Sequence, residues 1–132
     1  MPPRGERGRG RRGKRSRLSR SADFDRVYRE GRSHASRYLV VYALRAPVQG
    51  AEPRLGVSVS KKVGGAVDRN RMKRLLREAF WAVSEDLPEG FDFVIVARPD
   101  ASELASDRGE AGIQEALREV LDKAGLAGEA GQ

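Results

Sequence analysis

Seven cationic side chains, Lys61, Lys62, Arg69, Arg71, Lys73, Arg74 and Arg77, fall within the twenty residues KKVGGAVDRNRMKRLLREAF, where the only acidic residues are Asp68 and Glu78. A guanidinium binds phosphate through two parallel N–H bonds, and an ammonium binds it as a point charge. This density therefore points to a polyanion. Asn70 stands among the cations and can donate and accept at once, on a base edge or on a backbone group. Gly64 and Gly65 lead into the run, where a tight turn into a helix would leave free N–H groups for an anion. Like charges one helical turn apart, such as Lys73 and Arg77, repel by about 0.2–0.5 kcal/mol per pair. Such an arrangement suits a binding face better than a merely solvated one.

Nothing comparable supports chemistry by the protein itself. His34 is the only histidine, and in GRSHAS it reads as a loop or strand-edge residue. The absence of cysteine excludes disulfides, thiolate metal sites and a cysteine nucleophile, and one histidine leaves too few ligands for a zinc site. No Gly-Lys-Ser/Thr follows the glycines at phosphate-loop spacing. Asp68 belongs to a first helical turn, where a carboxylate favours the helix dipole. No catalytic residue and no metal ligand is expected.

The whole chain, 132 residues with a formal charge of +7 and 39% hydrophobic residues, suits one domain with a modest core. Its charge is unevenly spread. Residues 1–20 hold nine cations and Glu6, whereas residues 84–132 hold four cations and twelve carboxylates. No apolar run has the length of a membrane span, and the basic N-terminus lacks the apolar stretch of a secretory signal. A soluble cytoplasmic protein follows as the expectation. Residues 1–17 are low-complexity Arg/Gly sequence, read as a disordered basic tail that either contacts RNA or serves solubility. The folded domain is expected over 18–124, and residues 125–132 should fray.

The elements that must position the basic run can be read from periodicity. Ser21 to Glu30 reads as a helix capped by Ser21 and stopped by Gly31. Residues 37–45 form a β-branched and aromatic strand, and Leu55, Val57 and Val59 alternate with small residues in a second. A helix over 66–85 buries Met72, Leu75, Leu76, Ala79, Phe80 and Val83 along one stripe. Asn70, Arg74, Arg77 and Trp81 then lie on its opposite side, flanked by Arg71 and Lys73, with Arg69 nearer the stripe. FDFVIVARP is apolar on both faces, as in a doubly covered strand. Ile113, Ala116, Leu117, Val120 and Leu121 mark a last amphipathic helix with an acidic outer face. The order α-β-β-α-β-α predicts an α+β sandwich with a small central sheet and a βαβ crossover.

LGVSVSKKVGGAVDRNRMKRLLREAF closely resembles the signature of the bacterial ribonuclease P protein subunit, centred on Arg-Asn-Arg. SADFDRVYREG, RYLVVYAL and FDFVIVARP extend the likeness over roughly residues 18–123. The resemblance implies an accessory subunit of a ribonucleoprotein endoribonuclease that removes the 5′ leader of precursor tRNA. The RNA subunit performs the hydrolysis with Mg2+, and the protein binds that RNA and the leader. It further implies that Lys61, Lys62, Arg69, Asn70, Arg71, Lys73, Arg74 and Arg77 lie on RNA. Phe24, Tyr28 and Tyr42 match the family's aromatic leader cleft. The family's crossover is left-handed, against the usual right-handed rule. The implied partners are the catalytic RNA and precursor tRNA, with no membrane and no DNA.

Overall fold

The computed structural model describes residues 17, 18, 20–46, 53–84, 87 and 90–125. Residues 1–16, which make up all but Arg17 of the basic tail, lie outside the described residues. So do Glu85, Pro88 and the chain beyond Gly125.

Helix α1 (Ser21–Glu30) buries Val27 and leaves most of its other side chains partly or fully exposed. Arg20, not Ser21, takes the N-cap position, and no side chain caps the helix. Gly31 ends it at φ −81°, so no left-handed turn is needed. The glycine is required for space: a Cβ there would stand 2.6 Å from the Val27 carbonyl and 2.8 Å from that of Ala43. Strand β1 (Arg32–Ala35) follows at once, a strand that the periodicity did not reveal. Its four residues RSHA carry no apolar alternation, and pairing with β2 (Leu39–Arg45) holds them in place. The observed order is therefore α-β-β-β-α-β-α.

Strands β3 (Arg54–Val59) and β4 (Phe91–Ala97) flank helix α2 (Ala66–Val83) in sequence and pair in parallel, Val57 against Ile95. The sheet runs β1-β2-β4-β3, with the other pairings antiparallel. Strand β4 is thus interior, as its apolar sequence requires. Helix α3 (Asp100–Lys123) is longer than the apolar spacing indicated and bends at Gly109, whose φ of 60° and ψ of −148° are open essentially to glycine alone.

One sheet face carries Leu39, Val41, Leu55, Val57, Phe93 and Ile95 into the main core beneath α2 and α3. All six residues of the α2 stripe are buried there, with Leu76, Ala79 and Phe80 fully so. Each large side chain so buried contributes about 1.5–3 kcal/mol, which fixes the rotation of α2. The opposite face carries a smaller cluster of Leu18, Val27 and Val94 under α1. Strand β3 is one of the sheet's two edges, and part of that edge is covered: Arg17 bridges Leu55, and the Leu18 N–H donates to the Leu55 carbonyl at 2.9 Å.

Candidate nucleic-acid interface

The approach to α2 is a turn whose bonds aim the two lysines outward. The Ser60 hydroxyl accepts from the Lys62 N–H at 3.2 Å and the Ser60 carbonyl from the Val63 N–H at 3.0 Å. Val63 is buried, so Lys61 and Lys62 remain exposed. Gly64 is needed because a Cβ would stand 2.8 Å from Cβ of Asp68, whereas a Cβ on Gly65 would meet open space. Gly65 is the N-cap of α2 and offers no side-chain bond to the first turn.

Asn70, Arg71 and Arg74 are exposed, while Arg69, Lys73 and Arg77 are half-buried at the flanks of the helix. Among the described residues, no carboxylate lies within 4.0 Å of Lys61, Lys62 or any of the five cations of α2. Burial, and after it the positive charge of Arg17, lowers the Arg77 pKa from its ordinary value. The surface thus concentrates positive charge without internal neutralisation, and a polyanion would relieve it. Trp81 departs from the expected polar face. It packs against the main core with its ring edge-on to Phe80, centroids 4.9 Å apart.

Phe24, Tyr28 and Tyr42 converge on the other side of the sheet. Tyr28 meets Tyr42 edge to face at 4.9 Å and Phe24 at 6.2 Å. Phe24 lies over Gly56 of β3, where a Cβ would come within 2.6 Å of its ring. Phe24 and Tyr42 also pack against the smaller cluster, so part of each ring belongs to the core. Tyr28 is 37% exposed. Strand β3 therefore has the aromatic group on one face and the basic helix on the other.

Sequence reasoning missed the group that mounts α1 on the sheet. Asp92 is fully buried in β4 and accepts from Arg26 of α1 at 2.6 Å and from Arg54 of β3 at 2.8 and 2.9 Å. Burial alone would raise its pKa, but the hydrogen bonds from Arg54 and Arg26, with their charges, outweigh burial and hold the carboxyl below its ordinary value. The Arg54 pKa is raised in turn by its bond to Asp92. A lone aspartate inside FDFVIVA was the available signal, because a charge in a doubly covered strand must be paired. Among the described residues, no three His, Asp or Glu side chains gather as metal ligands.

An α+β sheet with a cationic helix, uncompensated among the described residues, on one face of an edge strand and an aromatic cluster on the other is built to bind a polyanion. A sequence model of the family Ribonuclease P matches residues 13–125. The chain is 43% identical to the ribonuclease P protein component of Bacillus pumilus over 105 residues, 80% of this chain and 87% of that one. It is 39% identical to that of Clostridium acetobutylicum over 113 residues, 86% and 92% of the two chains. The fold matches the RNase P protein of Staphylococcus aureus with a TM-score of 0.72 at 38% identity, covering 84% of this chain and 96% of that one. The Thermotoga maritima protein matches with 0.73 at 33%, covering 83% and 97%. This chain belongs to the ribonuclease P protein family.

Proposed function

We propose that the protein is the RNA-binding accessory subunit of a ribonuclease P that removes the 5′ leader from precursor tRNA. The observation that carries this reading is the set of seven cations on and before α2 that have no carboxylate partner among the described residues. Lys61, Lys62, Arg69, Arg71, Lys73, Arg74 and Arg77 hold the phosphates of the catalytic RNA, and Asn70 reaches a base edge or backbone. Phe24, Tyr28 and Tyr42 take the single-stranded leader. Aromatic faces bind successive bases without regard to sequence, which suits leaders that vary from one tRNA to the next. Because the two surfaces border the same strand, one protein can hold RNA and leader side by side.

In this reading the hydrolysis belongs to the RNA and its Mg2+, and this chain supplies the groups that hold phosphate and leader. No helix among the described residues is long and apolar enough to cross a membrane, and a cytoplasmic location fits an RNA-processing role. The test mixes the full-length protein with bacterial ribonuclease P RNA at low magnesium and follows a precursor tRNA carrying a 5′ leader. Cleavage at the mature 5′ end only when both are present is the expected result. RNA binding without rescued cleavage would reduce the protein to a general RNA-binding domain.

A further inference from the structure

Val67 has no role in the core, yet it is a large apolar side chain set among cations. It is 80% exposed in the first turn of α2, off the buried stripe that begins at Met72. A β-branched residue also lowers helix propensity slightly. Folding therefore gains nothing from valine at this position. Its neighbours one helical turn on are Asn70 and Arg71, both exposed and on the same side of the helix. Phosphate attraction uses Arg71 but neither Val67 nor the uncharged Asn70. An apolar surface, an amide that donates and accepts, and a planar guanidinium are together what an unstacked nucleobase needs: cover for its face, partners for its edge and a plane to lie on.

We propose that Val67, Asn70 and Arg71 form a platform for one unpaired base of the catalytic RNA. Val67 packs on the base, Asn70 bonds its edge, and Arg71 stacks on it or holds the adjoining phosphate. The platform rests on the reading that α2 faces that RNA, and it gives the exposed Val67 a role and commits Asn70 to the edge of one unpaired base rather than to backbone.

The test measures binding of the full-length protein to bacterial ribonuclease P RNA across a salt series, for Val67→Ala and Arg74→Ala beside the unaltered chain. Val67→Ala should weaken binding about four- to fifteenfold at every salt concentration, the loss expected for one to two apolar carbons withdrawn from a contact. The slope of log K against log salt should not change, and the thermal midpoint should stay level or rise. Arg74→Ala should instead make the slope shallower by about 0.7–0.9. Chemical probing should find one unpaired nucleotide protected by the unaltered chain and re-exposed by Val67→Ala. Full affinity for Val67→Ala beside weakened Arg74→Ala would overturn the platform alone, as would a changed slope for Val67→Ala. Full affinity for both variants would overturn the assignment of α2 to RNA as well.

Discussion

Tyr28 and Tyr42 touch edge to face at 4.9 Å, but they stand differently toward solvent. Tyr28 is 37% exposed, whereas Tyr42 packs against the cluster that contains Val27 and Val94. Replacing Tyr42 would mix a folding effect with a binding effect, so Tyr28 is the cleaner probe. Tyr28→Ala should lower affinity for leader-bearing precursor by about 1–3 kcal/mol, the range for one stacked base, and leave mature tRNA nearly unaffected. Comparing the two dissociation constants in the holoenzyme checks this, and equal losses for both would count against a leader cleft. On α2, Arg69→Ala combined with Arg71→Ala should weaken assembly with the catalytic RNA, measured as the protein concentration needed for half-maximal cleavage at low magnesium. Arg69 is half-buried, so the single variants separate its reach to RNA from that of the exposed Arg71.

At the scale of elements, the position of the cleft depends on how α1 is mounted. Val27 inserts into the sheet, Arg26 and Arg54 grip Asp92, and Gly56 leaves room for the Phe24 ring. Asp92→Asn keeps the shape and removes the charge. Arg26 and Arg54 keep 24% and 34% of their side-chain surface in water, so their loss of a partner should cost about 1–3 kcal/mol rather than the larger penalty of a fully buried orphan. The folded protein holds the Asp92 carboxyl below its unfolded value of about 3.9. Its stabilisation is therefore complete above that value and lost as the pH falls through the lower folded one. Urea titrations from neutral to acid pH should show Asp92→Asn closing on the unaltered protein as that window is crossed. A constant difference between them would refute the clamp. Gly56→Ala should displace the Phe24 ring, which can swing where backbone could not, and weaken leader binding while every aromatic remains. The sequence made much of this layout legible. The α2 stripe, the interior β4 and the convergence of Phe24, Tyr28 and Tyr42 all followed from apolar periodicity or from motif resemblance. The strand β1 was not legible, because RSHA is held by pairing with β2 and not by burial. The Asp92 clamp was partly hidden: a lone aspartate in FDFVIVA signals a buried charge that must be paired, but its partners Arg26 and Arg54 lie on two other elements and only folding brings them together.

For the molecule as a whole, charge is segregated by helix as well as by sequence. Helix α2 and its approach present the unpaired cations, while α3 exposes Glu103, Asp107, Glu110, Glu115, Glu119 and Asp122. Of these, Glu115 is tied to Arg108 at 2.8 Å. The two helices pack on the same sheet face, so an approaching RNA meets a molecule with an attractive and a repulsive pole, and the field should orient the encounter. Such steering acts over the Debye length, about 30 Å at 0.01 M salt but only about 8 Å at 0.15 M. Glu110→Gln combined with Glu119→Gln removes two exposed carboxylates that have no part in the proposed interface. At low salt this variant should associate with ribonuclease P RNA faster than the unaltered protein, because repulsion from the acidic pole is reduced. Near physiological salt the two association rates should converge, and at each salt concentration the variant and the unaltered protein should dissociate at the same rate. Stopped-flow association at the two salt concentrations reads this directly. A dissociation rate that slows in the variant would show that α3 lies at the RNA surface itself, so that its carboxylates act by contact and not through the long-range field.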